Sequence, residues 1–347
     1  MPPPTRSAAP VRAMQQASPS GPPRDFARFI RTIGRGATLS RPLTQEEAQD
    51  AMGMILRGAV APEQLGAMMI VLRYRKETPE ELAGFVEASR AVMSRPSDTG
   101  IMLDWPSYAD RHKQLPYFVL AARLLADAGI RTLIHGIAGE GAATTPKALA
   151  AIGVAASADA DDAARRLDAG NLAYLPLESF CPQVLGLFAL RPVLGLRSPA
   201  NTFARMLNPF AARHQMQGVF HPSYLATHQA AAQRLGQPFL AAFKGGGGEA
   251  QRNPEKPCHV VTLTDGAPGE QDWPALAVNA RYPWREETLD PALLRDLWEG
   301  THVADAPIAA VVGTAAVALR LLGRADTVER ADAAARDLWL SRRKKIA

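Results

Sequence analysis

Apolar positions in the first third of the chain repeat at the spacing of α-helices. Thr44, with Glu47 three residues later, has the pattern of a capping box and predicts the start of one helix. Pro62 suits the first turn of a second helix, whose apolar face comprises Leu65, Met68, Met69 and Leu72. Residues 78–81 open a third. Three short helices with tight links predict a small helical domain over residues 25–97.

Beyond Ile101 the pattern changes, and short apolar runs alternate with helical segments. The runs with the length and composition of strands are 101–104, 131–134, 172–175, 239–243 and 259–263. Helical patterns lie between them at 115–128, 160–169 and 224–235. This alternation is typical of an α/β domain with a mostly parallel central sheet flanked by helices. Ligands bind at the carboxyl ends of the strands in such sheets, so the loops after the strands are the candidate functional segments.

Composition favours a folded protein and gives no indication of a membrane span, a disulfide framework or a zinc site. With 347 residues, 47% of them apolar, the chain is long enough to bury one large core or two smaller ones. The apolar run 308–322 is too short to span a membrane and contains Arg320, so it predicts a buried helix. Cys181 and Cys258 match no disulfide framework and no zinc spacing, which favours a cytoplasmic location. Residues 1–24 are rich in proline, lack the apolar core of a secretory signal and are predicted to form a disordered tail.

Positive charge is concentrated in the middle of the chain. The formal net charge is only +5, yet residues 179–248 contain no Asp or Glu. Two further basic clusters occupy residues 73–76 and 342–345. A long stretch that carries only positive charge attracts polyanions, which would make it a binding surface. The alternative is that these basic residues simply form a solvated surface.

Two glycine-rich segments follow predicted strands. His135 and Gly136 begin the first, which leads into a helix, and its backbone N–H groups could approach an anion; a plain strand-to-helix turn is the alternative. In the second, Lys244 precedes four glycines and Glu249. Lys244 could contact a phosphate and Glu249 could hold a metal ion or a basic residue, unless the segment is simply a mobile surface loop.

Residues 191–209 carry the most specific motif. Their sequence, R-P-V-L-G-L-R-S-P-A-N-T-F-A-R-M-L-N-P, resembles the glycosyl transferase family 3 signature R-x-x-L-G-I-R-T-x-F-N-L-L-G-P-L-x-N-P, best known from anthranilate phosphoribosyltransferase. Residues 217–222 and the N-terminal helices extend the resemblance over nearly everything from residue 25. It implies the nucleoside phosphorylase/phosphoribosyltransferase type of fold and a homodimer formed through the helical domain. The implied domains are 25–97 plus about 189–215 (helical), and 98–188 plus 216–347 (α/β).

The motifs that bind substrates in this family are incomplete in this chain. The G-T-G-G-D loop that holds the donor's diphosphate is replaced by L-D-W-P-S-Y-A-D at residues 103–110. The family's K-H-G-N-R keeps only its histidine and glycine, and its magnesium-binding D-E pair keeps only the glutamate. Arg191 occupies the position of the acceptor-binding arginine, and Cys181 replaces a histidine upstream of it. The remnants of the ligand site are His135, Gly136, Asn201 and Glu249.

These losses favour a nucleic-acid-binding protein on a retired transferase scaffold, similar to the YbiB-like branch of the family. Binding would be independent of sequence, through DNA or RNA phosphates in a basic groove, with no catalytic residue, cofactor or metal predicted. The predicted phosphate contacts are Arg191, Arg197, Arg205 and Lys244, followed by Arg73, Arg75 and Lys76. The alternative is an active phosphoribosyltransferase that uses phosphoribosyl pyrophosphate and Mg²⁺, with Glu249 as a metal ligand. A scaffold for a protein partner is a third possibility.

Overall fold

The computed structural model describes residues 25–96, 100–109, 112–276, 278 and 281–342, which form two compact units. The helical unit extends to Val92 and includes Pro182–Phe203; the α/β unit comprises Met93–Cys181 and the chain from Ala204 onwards. The tail predicted at residues 1–24 and the basic residues 343–345 lie outside the described residues.

Helices alone make up the first segment of the described chain, and strands begin after residue 100. The helices of the first segment are α1 (Ala27–Gly34), α2 (Gln45–Leu56), α3 (Pro62–Arg75) and α4 (Pro79–Val92). The following helices are α5 (Phe118–Asp127), α6 (Thr145–Ala151), α7 (Ala160–Gly170), α8 (Leu177–Phe180), α9 (Pro182–Phe188), α10 (Arg191–Leu194), α11 (Ala200–Phe203), α12 (Leu225–Arg234), α13 (Ala292–Glu299), α14 (Asp305–Leu321) and α15 (Val328–Ser341). The strands are β1 (Leu103–Ser107), β2 (Thr132–Gly136), β3 (Leu172–Pro176), β4 (His214–Val219), β5 (Phe239–Lys244), β6 (Cys258–Thr264) and β7 (Ala267–Trp273).

The helical unit begins α2 with the expected capping box. The Thr44 hydroxyl accepts a hydrogen bond from the Glu47 backbone N–H at 3.2 Å, and the Glu47 carboxylate accepts one from the Thr44 N–H at 3.0 Å. Helix α4 packs so closely on α2 that a Cβ at Gly84 would lie 2.3 Å from the Gln45 carbonyl oxygen. Small residues at this contact allow the two backbones to approach.

A buried carboxylate fixes the chain around α4. Glu81 accepts hydrogen bonds from the backbone N–H groups of Leu43 at 2.9 Å and Thr78 at 3.0 Å, and it forms an ion pair with Arg75. Its side chain is fully buried, so these bonds satisfy a charge that would be costly to leave unpaired. Arg75 therefore stabilises the helical unit.

The α/β unit contains a seven-stranded sheet in the order β3-β2-β1-β4-β5-β6-β7. Strands β1 to β5 are parallel, while β6 pairs with β5 and β7 pairs with β6 in the antiparallel sense. This confirms the predicted fold class, a small helical part and a larger α/β part with a mostly parallel sheet. Helix α14 is buried along most of its length, as its apolar run predicts. Within the described part of the chain, no helix has both the length and the apolar character needed to cross a bilayer.

Strands β4 and β7 were not predicted. Strand β4 buries Gln215 and Gln217 instead of an apolar run, so it lacks the usual strand composition. Strand β7 contains Pro268 and Gly269 and is largely exposed at the sheet edge, where such residues are tolerated.

Candidate active site

The carboxyl ends of the parallel strands lie side by side at one end of the sheet, which we call the carboxyl edge. Ser107 at the end of β1 pairs with Gly136 at the end of β2, and Val219 at the end of β4 pairs with Lys244 at the end of β5. The loops that follow these strands therefore meet at the edge where parallel sheets bind ligands.

Three glycines allow close backbone contacts at this edge, two of them at strand ends and one within the loop after β5. A Cβ at Gly136 would lie 1.8 Å from the Ser107 carbonyl oxygen. A Cβ at Gly218 would lie 2.2 Å from the Glu249 carbonyl carbon, and one at Gly245 only 1.5 Å from the Glu249 carbonyl oxygen. Gly136, Gly218 and Gly245 are therefore structural requirements of this edge.

Glu249 is the central carboxylate of this edge. It is 1% exposed, and its Oε1 accepts a hydrogen bond from the Ala109 backbone N–H at 2.7 Å. This bond ties the loop after β5 to the loop after β1, across 140 residues of chain. Its Oε2 has no hydrogen-bond partner among the described residues. Glu249 thus has one anchored oxygen and one buried oxygen available to a ligand.

His112 lies beside this carboxylate and is itself buried. Its Nε2 is 3.8 Å from Glu249 Oε1 and 3.4 Å from the Thr145 hydroxyl, which is 2.8 Å from the Ser107 hydroxyl. Burial lowers the pKa of His112 and outweighs the opposite effect of Glu249, so the contact is not an ion pair at neutral pH. Nδ1 of His112 has no partner in the part of the chain that the structure describes.

His135 belongs to a buried chain of hydrogen bonds beneath the loop after β1. Its Nε2 is 3.3 Å from the Asp104 carboxylate, and its Nδ1 is 2.9 Å from the Tyr108 hydroxyl. Because a carboxylate accepts, the ring donates at Nε2 and accepts from the Tyr108 O–H at Nδ1. Burial is the main cause of the strongly raised pKa of Tyr108, which keeps the phenol protonated. His135 therefore anchors the loop instead of facing a ligand.

The chain of hydrogen bonds continues through two glutamines of β4 to His228. Asp104 accepts from Gln215 Nε2 at 2.6 Å, Gln217 donates to Gln215 Oε1 at 2.5 Å, and His228 Nδ1 lies 2.7 Å from Gln217 Oε1. Burial, reinforced by the charge of Arg205, lowers the pKa of His228 to about 3. The folded protein therefore holds a neutral imidazole at this position.

This buried histidine predicts a loss of stability in mild acid. Below its unfolded pKa of about 6.5, His228 takes up a proton in the unfolded chain but not in the folded one, so stability falls as pH falls. At pH 5 the loss should be about 2 kcal/mol from this group, and His112 acts in the same direction. Urea unfolding followed by tryptophan fluorescence measures it in the α/β unit alone, because all five tryptophans lie there. His228→Gln should flatten the pH dependence, whereas exposed His302→Gln should leave it unchanged; equal slopes would disprove the assignment.

Two cations of the predicted set lie in the α/β unit. Arg205 is 8% exposed, and its Nη2 is 3.8 Å from the position of a Cβ on Gly248. Its charge also lowers the pKa values of His112 and His228. Lys244 ends β5 with an exposed side chain. The carboxyl edge of the sheet therefore brings together His135, Gly136, Arg205, Lys244 and Glu249.

The other predicted residues lie in the helical unit. Arg191 begins α10, Arg197 precedes α11, and Asn201 lies within α11. The remaining three, Arg73, Arg75 and Lys76, end α3. Lys76 adopts a positive φ of 68°, where the helix stops.

The described residues do not build a magnesium site. Glu249 supplies one unpartnered buried oxygen, but no group of three or more His, Cys, Asp or Glu side chains capable of holding a metal ion occurs among them. Carboxylate ligands are what a hard cation needs from the protein, and one is not enough for a resident site.

Several residues of this edge were not predicted from the sequence. Ser107 and Tyr108 lie in the segment 103–110, which the sequence marked only by its lack of glycine, and His112 follows that segment. The burial of Tyr108 was not predicted either. Thr145 was part of the first glycine-rich segment, with no indication that it meets Ser107. A polar residue directly after a predicted strand was the one available signal.

Comparison with known proteins identifies relatives for both parts of the chain. A profile described as the helical bundle domain of a glycosyl transferase family matches residues 27–93. Anthranilate phosphoribosyltransferase from Methylocella silvestris is 31% identical over 237 residues, which covers 68% of each protein. The uncharacterized protein YbiB from Escherichia coli is 28% identical over 247 residues, covering 70% of this chain and 77% of YbiB.

Solved structures show the same fold. Anthranilate phosphoribosyltransferase from Thermus thermophilus superposes with a TM-score of 0.76 at 23% identity, covering 91% of this chain and 94% of that one. The enzyme from Saccharomyces cerevisiae, in complex with PRPP and Mg, gives a TM-score of 0.73 at 13% identity over 92% of this chain and 94% of that one.

The prediction of a nucleic-acid-binding protein is wrong. Relatives and solved structures point to anthranilate phosphoribosyltransferase, and none of them indicates nucleic-acid binding. The structure supplies physical reasons: Arg75 pairs with buried Glu81, and Arg205 is itself buried, so neither is free to follow a nucleic-acid backbone. The chain belongs to the glycosyl transferase family of anthranilate phosphoribosyltransferase.

Proposed function

We propose that the protein transfers a phosphoribosyl group from phosphoribosyl pyrophosphate to an aromatic amine, with anthranilate as the first candidate acceptor. The observation that carries this proposal lies at the carboxyl edge of the sheet. There the hydrogen bond from Ala109 N–H to Glu249 joins the loops after β1 and β5. The activity named for the Methylocella silvestris relative supports it. Preorganised loops at this edge suit a reaction that depends on placement and electrostatics.

Cationic groups at this edge suit the phosphates of the donor. The buried guanidinium of Arg205 lies beside the loop of residues 245–248, and Lys244 precedes that loop. Charge-assisted hydrogen bonds to phosphate are stronger than neutral ones, and burial increases their strength. The loop after β1 has no glycine-rich segment to hold phosphate, and its Tyr108 side chain is buried against His135. We therefore assign the main phosphate contacts to the β5 side.

An aromatic surface at the same edge suits the acceptor. Phe220, directly after β4, is 53% exposed and its Cβ lies 3.5 Å from the position of a Cβ on Gly248. A large exposed aromatic ring beside a glycine loop is well placed to pack against a planar acceptor.

In the reaction, the bond between the ribose anomeric carbon and the diphosphate oxygen breaks while a bond from that carbon to the acceptor nitrogen forms. The diphosphate leaves with the bonding electrons, and the acceptor nitrogen releases a proton to solvent. Positive charge develops on the anomeric carbon, and a buried carboxylate such as Glu249 stabilises such charge. Magnesium would act by neutralising the leaving diphosphate; the residues present do not hold it by themselves, and none of these steps depends on it.

The test is pyrophosphate release from phosphoribosyl pyrophosphate, with and without anthranilate, in magnesium-containing buffer. We expect anthranilate-dependent release by the wild type and a fall in kcat/KM of about 100-fold for Glu249→Gln, equivalent to about 2.7 kcal/mol. Glutamine keeps an oxygen that can accept from Ala109 N–H, so the variant removes charge with little change of shape.

Glu270→Gln is the matched control, since that glutamate is exposed on the edge strand β7. It should behave as the wild type. Absence of release with anthranilate and with other aromatic amines would refute the proposed function.

We also propose that the chain forms a cytoplasmic homodimer through its helical unit. Ile70 and Tyr74 lie one turn apart on α3 and are exposed, with Tyr74 at 91%, and Val193 and Leu196 of the same unit are exposed as well. Exposed apolar side chains of this kind support an interface. Cys181 and Cys258 are buried and form no disulfide, which supports a reducing compartment.

A further inference from the structure

The α/β unit contains a cavity far from the candidate active site. It has a volume of about 220 Å³ and is lined by residues that include His214, Phe239, Thr262, Val317, Arg320 and Leu321. His214 and Phe239 are the first residues of β4 and β5. The cavity therefore lies at the amino ends of the strands, about 17 Å along β5 from the edge that holds Glu249.

Its walls are mainly apolar and partly aromatic. The rings of His214 and Phe239 stack with centroids 4.7 Å apart and an interplanar angle of 22°. Val317 and Leu321 from the last turns of α14 contribute aliphatic surface. Flat and aliphatic surfaces of this kind suit a planar ring.

Arg320 gives the cavity its charge preference. It is the charged residue of the lining, which contains no Asp or Glu. Its guanidinium donates one long hydrogen bond of 3.5 Å to the Ala325 carbonyl oxygen, and no described carboxylate lies within ion-pair distance of it. Its charge acts weakly on Asp326, an exposed carboxylate whose ion pair is with Arg330. A partly buried guanidinium with free donors binds a carboxylate strongly, through two parallel hydrogen bonds.

His214 adds no charge of its own, and Arg213 lies behind the lining, with its guanidinium carbon 5.6 Å from the Phe239 ring centroid. Nδ1 of His214 lies 3.1 Å from the Met102 carbonyl oxygen, so this nitrogen donates. Burial, reinforced by Arg213, lowers the pKa of His214, and the ring is neutral at neutral pH. Arg320 is therefore the charged side chain in the lining itself, and its charge favours an anion as the ligand.

The volume limits the size of the ligand. A cavity of about 150 Å³ holds benzene, and sites for drug-sized ligands begin at about 300 Å³. We propose that this cavity is a second binding site, specific for a single-ring aromatic carboxylate. The proposal rests on Arg320, the stacked rings and the cavity volume, and it does not depend on the proposed function.

Ligand-observed NMR titration with benzoate, and with neutral benzamide as its isostere, tests the site. For the wild type we expect a benzoate dissociation constant of about 1 mM, equivalent to about 4 kcal/mol, and much weaker binding of benzamide. Arg320→Gln should weaken benzoate binding at least tenfold, while Arg320→Lys, which keeps the charge but not the two parallel donors, should weaken it measurably but by a smaller factor. Arg324→Gln, four residues further on at an exposed position, should bind as the wild type.

Three results would overturn the proposal: no benzoate binding by the wild type at millimolar concentration, equal binding of benzamide, or unchanged benzoate binding by Arg320→Gln. The last result would also reveal benzoate bound at the acceptor position of the other edge, which does not involve Arg320. Tryptophan fluorescence in urea shows whether each variant is folded, and Arg320→Lys keeps the test valid should Arg320→Gln unfold.

Discussion

Replacing Gly245 by alanine should destabilise the α/β unit by about 3 kcal/mol or more, near the upper end for a steric substitution. The new Cβ would lie 1.5 Å from the Glu249 carbonyl oxygen and 3.0 Å from the Gln251 backbone nitrogen. Both neighbours are backbone atoms, so the loop itself has to move. Urea unfolding monitored by tryptophan fluorescence measures the effect in this unit.

Gly170→Ala is the matched control for this substitution. Gly170 ends α7, and a Cβ there would meet no atom within 4 Å. Because alanine has the higher helix propensity, this variant should be neutral or more stable by up to about 1 kcal/mol. If Gly245→Ala were as stable as the wild type, the tight conformation of the loop after β5, which places Glu249, would not exist as described.

Arg205→Gln should weaken the binding of phosphoribosyl pyrophosphate by at least tenfold, and by up to about 100-fold, because a hydrogen bond to a charged group contributes about 1.5–3 kcal/mol. The guanidinium is buried beside the glycine loop, where little solvent screens its charge. The same variant should raise the pKa of His228 above about 3, since the charge of Arg205 helps to lower it. Calorimetric titration measures the affinity, and NMR titration measures the histidine.

The control for Arg205 is Arg213→Gln. That arginine is exposed, and its guanidinium carbon lies 5.6 Å from the ring centroid of Phe239 at the amino end of β5. Donor affinity should not change in this variant. Equal affinities of Arg205→Gln and wild type would remove Arg205 from the donor site.

Much of the fold follows from local patterns in the sequence. The capping box at Thr44, the proline at the start of α3 and the apolar run of α14 each specify an element by a rule that acts over a few residues. Strand β4 could not be found in this way, because Gln215 and Gln217 replace the expected apolar residues. Their partners, Asp104 and His228, come from other parts of the chain and become neighbours only in the folded sheet.

The candidate site was only partly predictable for the same reason. Glu249 was identified by its position after a glycine-rich loop, but its bond to Ala109 spans 140 residues and has no local signature. Arg205 was identified as a cation, yet its burial could not be inferred from a stretch without acids. Charge in a sequence indicates an anion of some kind; burial and neighbouring groups decide between a polymer and a small phosphorylated substrate.

The most direct test of phosphoribosyl transfer at the carboxyl edge is calorimetric titration of the wild-type protein with phosphoribosyl pyrophosphate and magnesium. We predict saturable binding with a dissociation constant of about 1 µM to 1 mM, the range in which enzymes bind their substrates, and weaker binding by Arg205→Gln. No binding by a protein shown to be folded, or binding that Arg205→Gln leaves unchanged, would contradict this assignment.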